Sequence, residues 1–190
     1  MSDITIRPVT PEDAQALLAI YAPYVEHTAI SFEYEVPDLA EFRRRMRQIQ
    51  EKYPYLAAAD ESGRLLGYAY TSAFVGRAAY DWSAETTIYL REDCRNRGLG
   101  RRLYEALEEI SRAQHIHTLC ACIGRPRTED EYLTDNSVEF HSHMGYRLVG
   151  TFRKAGYKFG RWYDMAWMEK SLGGSEPPEA VIPFPQLPVY

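Results

Sequence analysis

Gly98 and Gly100 stand among Arg95, Arg97, Arg101 and Arg102 in the run Glu85-Thr-Thr-Ile-Tyr-Leu-Arg-Glu-Asp-Cys-Arg-Asn-Arg-Gly-Leu-Gly100-Arg-Arg-Leu-Tyr, and the chemistry this spacing offers is anion capture. The first N–H groups of a helix have no intrahelical acceptor and sit at the positive end of the aligned peptide dipoles, so a phosphate placed there accepts several hydrogen bonds. Glycine carries no Cβ to hold the phosphate away, and guanidinium groups grip it two-pronged. Arginines at a helix start oppose the macrodipole, where a purely structural sequence would carry Asp or Glu. The pattern points to a bound pyrophosphate. Both the dinucleotide fingerprint and the phosphate loop of nucleotide hydrolases are missing, which argues against nucleotide hydrolysis. Glu85, at the head of the run, is a carboxylate suited to taking a proton, although an ordinary strand-start glutamate paired with a cation reads the same way in isolation.

These residues need a strand, a turn and a helix to position them. Residues 86–90 are β-branched and aromatic and read as a strand, whereas Leu99, Leu103, Leu107 and Ile110 recur at helical spacing, so strand yields to helix near Arg97. Upstream, residues 4–7 form a short strand, and Thr10 with Asp13 resembles a capping box before a helix carrying Leu17, Leu18, Tyr21 and Val25. Pro37 and Asp38 open a second helix with Leu39, Phe42, Met46 and Ile49 on one stripe and Arg43, Arg44, Arg45 and Arg47 on a solvated face. Residues 55–59 and 65–72 read as a hairpin. Downstream come a strand at 118–123, a short helix at 136–144 stopped by Gly145, and a final strand pair at 146–152 and 162–169 joined through Gly156-Tyr-Lys-Phe-Gly160. Without a repeated βαβ rhythm, the expected class is α+β: a mixed, largely antiparallel sheet with helices on both faces.

At 190 residues the chain suits one domain, residues 1–172, followed by a Pro-dense tail at 173–190 that is extended on a surface or disordered. A net charge of −5 argues against a general nucleic-acid binder. The sequence contains no apolar run of membrane-spanning length, and its start lacks a signal-peptide core, so a cytoplasmic protein without a membrane partner is expected. Three cysteines, with Cys120 and Cys122 on one strand face, suit neither a disulfide framework nor a tetrahedral zinc site; buried thiols and no metal are expected.

Arg95-Asn-Arg-Gly-Leu-Gly100 resembles the (Gln/Arg)-x-x-Gly-x-(Gly/Ala) signature of the GNAT superfamily of acyl-CoA-dependent N-acetyltransferases. Tyr80-Asp-Trp-Ser-Ala-Glu85, Gly156-Tyr-Lys-Phe-Gly-Arg-Trp-Tyr-Asp164 and Tyr53-Pro54 are similar to the phosphinothricin (methionine sulfoximine) acetyltransferase family, across residues 3–170. The resemblance implies the GNAT fold, acetyl-CoA as cosubstrate and a sheet opened between two central strands. It implies that Ile88, Tyr89 and Leu90 pair their backbone with the pantetheine arm, an N–H of that strand such as Tyr89's also receiving the thioester oxygen. Arg95 and the amides of Asn96, Arg97, Gly98, Leu99, Gly100 and Arg101 would hold the pyrophosphate, and Asn136 would be the cofactor-binding asparagine. Glu85 would be the catalytic base and His141 the proton donor to the departing thiolate. Arg77 would clamp an acceptor carboxylate, Phe32 and Tyr34 would form the substrate loop, and Lys158, Trp162 and Asp164 would line the same pocket, from a partner subunit of a homodimer. The stretch from Arg125 to Ser137 is longer than in the familiar herbicide-resistance enzymes and puts an added loop beside the acceptor pocket.

The expected activity is transfer of acetyl from acetyl-CoA to the amine of a small amino-acid-like compound such as phosphinothricin or methionine sulfoximine. The alternatives are an acetyltransferase of protein or peptide amines and a non-catalytic CoA-binding module.

Overall fold

The structure, a computed structural model, describes residues 4–94 and 97–188. Seven strands form one sheet: β1 (Thr5–Pro8), β2 (Tyr55–Ala59), β3 (Leu65–Ala73), β4 (Ser83–Leu90), β5 (Thr118–Arg125), β6 (Arg147–Lys158) and β7 (Arg161–Ser171), in the order β1-β2-β3-β4-β5-β7-β6. Neighbours are antiparallel except β4 and β5, which run parallel. The expected class, a mixed and largely antiparallel sheet with helices on both faces, is the one found.

Local chemistry sets the helices. The Asp13 carboxylate accepts from the Thr10 N–H at 2.8 Å and grips the Arg7 guanidinium at 2.7 and 2.9 Å, tying the start of α1 (Ala14–His27) to β1. Asp38 caps α2 (Leu39–Gln50) by accepting from the Glu41 N–H at 2.8 Å. Leu17, Tyr21, Tyr24, Val25, Phe42 and Met46 of these helices bury against Tyr55, Ala57 and Tyr68. On the opposite face, α3 (Leu99–Ala113) presents Leu99, Leu103, Leu107 and Ile110 to Leu56, Leu66, Leu119 and Met168, and α4 (Asn136–His143) packs Phe140 beside it. Each such side chain contributes about 1.5–3 kcal/mol by leaving water, so two apolar stripes hold the central strands from both sides.

Two expectations change. The final hairpin is longer than its apolar alternation suggests: Gly156, Tyr157 and Lys158 pair with Tyr163, Trp162 and Arg161, and the turn is Phe159-Gly160 alone. Both turn residues take positive φ, 51° and 73°, the two-residue geometry that suits strand twist. An irregularity between Phe152 and Gly156, where Asp164 accepts from the Lys154 N–H, breaks the period-two pattern and hides this pairing from the sequence. Second, Cys94 and Cys120 are buried but Cys122 is exposed, because the strands part beside it. Of the two alternatives for the tail, lying on the surface is the one found over its later residues. Ile182 donates to Gln114 O and Phe184 to Lys52 O, while Val181, Phe184 and Leu187 pack on the α3-side core.

Candidate active site

β4 keeps its ladder to β3 from Ala84 to Leu90, and β5 keeps its ladder to β7 throughout, yet β4 and β5 pair over Ser83, Ala84 and Glu85 and then part. A cavity of about 260 Å³ fills the opening. Its walls include Glu85, Thr87 and Ile88 of β4, Cys122 and Ile123 of β5, and Tyr104 and His141 from the helices beneath.

The register fixes which backbone groups face the gap. Arg91 N–H donates to Leu66 O at 2.9 Å, so Glu85, Thr87 and Tyr89 exchange their bonds with β3, while Thr86, Ile88 and Leu90 turn theirs to the other edge. Leu90's groups meet the Tyr24 hydroxyl, which donates to Leu90 O. Ile88 is left with N–H and C=O facing the gap and no strand partner among the described residues. Of the three residues expected to offer backbone there, Ile88 does so; Tyr89's N–H is spent on β3 and its ring is packed among Tyr21, Tyr24 and Tyr68.

Glu85 sits where the strands separate, half-buried, its carboxylate without a hydrogen-bonding or ionic partner among the described residues. Burial pushes its carboxyl above the ordinary glutamate range, the direction that suits a base working near neutral pH. Glu85 is also the one charged side chain among the described cavity-lining residues.

His141 is 3% exposed. Its Nδ1 lies 2.7 Å from Ser137 O, a carbonyl that can only accept, which assigns the ring proton to Nδ1; Nε2 then accepts from the Tyr104 hydroxyl at 2.8 Å. Burial lowers His141 to about 4, so the ring is neutral at pH 7, and burial raises Tyr104. With its ring proton committed to Ser137 O, the imidazole has none to present to the cavity, and the Tyr104 hydroxyl, which also lines the cavity, rests its own proton on His141 Nε2. Tyr104 carried no signal in the sequence, because an aromatic inside a helix reads as core and its partner lies 37 positions away.

At the start of α3 the two glycines do different jobs. Gly98 has φ +75° and an added Cβ there would meet nothing within 4 Å, so its requirement is conformational. A Cβ on Gly100 would lie 3.0 Å from the Phe140 ring, so that glycine lets α3 and α4 approach. Arg97 and Arg101 are exposed, Arg101 lying 3.8 Å from Glu105, whereas Arg102 donates to Ile4 O. Arg95 and Asn96 lie outside the described residues.

The expected acceptor residues divide. Phe32 lines the cavity. Tyr34 is 71% exposed and its hydroxyl donates to Tyr157 O. Lys158 is buried, its ammonium donating to Val25 O, Thr28 O and Ser31 O at 2.7, 2.9 and 2.7 Å, so its donors serve the fold. Trp162 is half exposed against Tyr157, Arg77 is exposed on the β3–β4 connection, and Asn136 is exposed at the first turn of α4; none of the three lines the cavity. Among the described residues no cluster of His, Cys, Asp or Glu is arranged to hold a metal. Leu133, from the segment between β5 and α4, does reach the cavity.

Comparison with known proteins matches residues 6–167 to the acetyltransferase (GNAT) domain. The phosphinothricin N-acetyltransferase of Streptomyces viridochromogenes is 34% identical over 184 residues, covering 97% of this chain and 96% of that one. The L-methionine sulfoximine/L-methionine sulfone acetyltransferase of Pseudomonas aeruginosa is 34% identical over 172 residues, 88% and 94% of the two chains. The crystal structure of a GNAT superfamily phosphinothricin acetyltransferase from Sinorhizobium meliloti in complex with AcCoA superposes with a TM-score of 0.85 at 31% identity, covering 95% of this chain and 94% of that one. A parted sheet with a carboxylate at the fork, on a chain this similar along nearly its whole length, makes this protein a member of the GNAT acetyltransferase superfamily, in the phosphinothricin and methionine sulfoximine acetyltransferase family.

Proposed function

We infer that the protein transfers acetyl from acetyl-CoA to the amine of a small amino-acid-like compound of the phosphinothricin or methionine sulfoximine type. The observation carrying this reading is the fork of β4 and β5, with Glu85 at its closed end and the unpartnered backbone of Ile88 along its edge. Acetyl-CoA fits what is present: Ile88 offers an N–H and a C=O for an amide-bearing arm, and the first amides of α3 follow an open turn at Gly98. When bound, acetyl-CoA supplies an acetyl group activated as a thioester.

An amine resembling lysine is protonated near pH 7 and cannot attack. Glu85 takes that proton, directly or through a water, and its raised affinity for protons helps it do so. The Ile88 N–H, aimed into the gap, stabilises negative charge arising on the acyl oxygen. Tyr104 Oη borders the cavity with its proton resting on His141 Nε2, and it delivers that proton to the departing thiolate when the hydroxyl turns away from the imidazole. No cation lines the described cavity, and Arg77, exposed on the β3–β4 connection, is the guanidinium we assign to the acceptor carboxylate. Free-thiol release on adding phosphinothricin or methionine sulfoximine to enzyme and acetyl-CoA tests the assignment; release with peptides alone would replace it with a macromolecular acceptor.

Tyr104→Phe should lower kcat about tenfold. The loss is modest because a thiol with pKa near ~8.5 leaves with little help from an acid; unchanged turnover would remove Tyr104 from proton transfer. Gly98→Ala places a side chain in left-handed backbone, at roughly 1–2 kcal/mol, and should raise the acetyl-CoA KM several-fold while kcat holds. A constant KM in steady-state kinetics would detach the α3 turn from phosphate binding. Edge strand β6 exposes Leu148, Val149 and Phe152, which supports a homodimer formed there. Sedimentation equilibrium should return twice the chain mass, and a single-chain mass would refute the dimer.

A further inference from the structure

We propose that Leu133 sets the size of acceptor the enzyme admits, by closing the acceptor end of the cavity with Phe32 as a rigid apolar wall. The proposal rests on the small-amine reading above. Glu85 is the register partner of Cys120, and Cys122 and Gly124 follow at two-residue steps, so all four present one face of the sheet, the face carrying α1 and α2. A Cβ built on Gly124 would stand 3.5 Å from Phe32 Cζ and 3.6 Å from Leu133 Cδ2. Both side chains therefore lie on Glu85's side of the fork, opposite the side from which α3 approaches. Both line the cavity, and Leu133 is 3% exposed.

Neither wall residue has room to yield. The Phe32 ring is pressed against β6 so closely that a Cβ on Gly156 would fall 2.5 Å from it, and the loop leading to it is tied down by Lys158 through Thr28 O and Ser31 O. The segment carrying Leu133 is fastened to three elements. Ala29 N–H donates to Tyr132 O at 3.0 Å, linking it to the loop after α1. Asp130 accepts from Leu133 N–H and Tyr163 O–H, both at 3.0 Å, and pairs with Arg161 at 2.9 Å, linking it to β7. The Tyr132 ring stacks on Phe159 at 4.2 Å, linking it to the β6–β7 turn.

A wall so fixed discriminates by length, since one methylene in an apolar pocket changes specificity roughly 10–200-fold. It offers no hydrogen bond, so it fits an acceptor whose far end is small and apolar, such as a methyl group. The test uses the S-methyl, S-ethyl and S-butyl homocysteine sulfoximines with parent enzyme, Leu133→Ala and Leu133→Val. In the parent, kcat/KM should fall along the series. Leu133→Ala should raise the S-butyl to S-methyl ratio by about tenfold or more, with Leu133→Val between them and the acetyl-CoA KM unchanged; should Leu133→Ala fail to fold, the Val variant carries the comparison. An unchanged ratio in a variant that turns over the S-methyl compound would overturn the wall and leave the proposed activity standing. Failure of the parent to acetylate any of the three would overturn the proposed acceptor class and the wall with it.

Discussion

Glu85→Gln should lower kcat by about 10²–10⁴, which is about 3–5 kcal/mol of barrier, with the acetyl-CoA KM nearly unchanged. Gln has the shape of Glu but cannot take a proton. It also disturbs little, since the Glu85 carboxylate has no hydrogen-bonding or ionic partner to lose among the described residues. The pH profile gives a second readout. A base must be ionised to work, so activity falls as pH drops through its pKa, and burial moves the Glu85 carboxyl above the usual glutamate value of roughly 4.3. The acid limb of kcat/KM in the parent should lie above that value and should vanish in the residual activity of the Gln variant. A variant that turns over at the parental rate would exclude Glu85 from proton removal.

Lys158→Met should destabilise the fold by about 3 kcal/mol, lowering the melting temperature by roughly 6–12 °C in a domain of this size. Met keeps much of the length and removes all three donors. Val25 O belongs to the last turn of α1, where carbonyls lack intrahelical partners, and Thr28 O and Ser31 O belong to the loop that carries Phe32. Leaving a buried acceptor unpaired costs about 1–3 kcal/mol, and three that share one donor group do not add fully. The loosened loop should also raise the acceptor KM while the acetyl-CoA KM stays constant, because α3 lies on the other face of the sheet. Thermal melts and steady-state kinetics check both. A parental melting temperature combined with lost acceptor binding would return Lys158 to the substrate-contacting role that its motif suggests.

Much of the fold follows from local rules. The Thr10–Asp13 interaction, Asp38 at the start of α2, the apolar stripe of α3 and the strand–turn–helix order around Gly98 each depend on residues within a few positions of one another, where dihedral preferences and side-chain spacing act directly. For the same reason the expectation of an anion at the α3 turn and the candidacy of Glu85 could be framed before any contact was known. Sequence neighbours did mislead where a bulge broke the alternation, in the stretch from Phe152 to Lys158, and where a glycine's reason lay in a distant partner, as Gly100 meets Phe140.

The sequence by itself determined the element types, the turn chemistry and the family likeness. The tertiary structure alone decided that β4 and β5 part after Glu85, that the Ile88 backbone faces the opening in place of Tyr89's, that the His141 ring spends its proton on Ser137 O and meets the Tyr104 hydroxyl at Nε2, and that Lys158 closes α1 from 133 positions away. These are facts of strand order and register. They arise from which surfaces bury one another when the whole chain packs, and that balance is summed over contacts between segments far apart in sequence, so no local pattern encodes it.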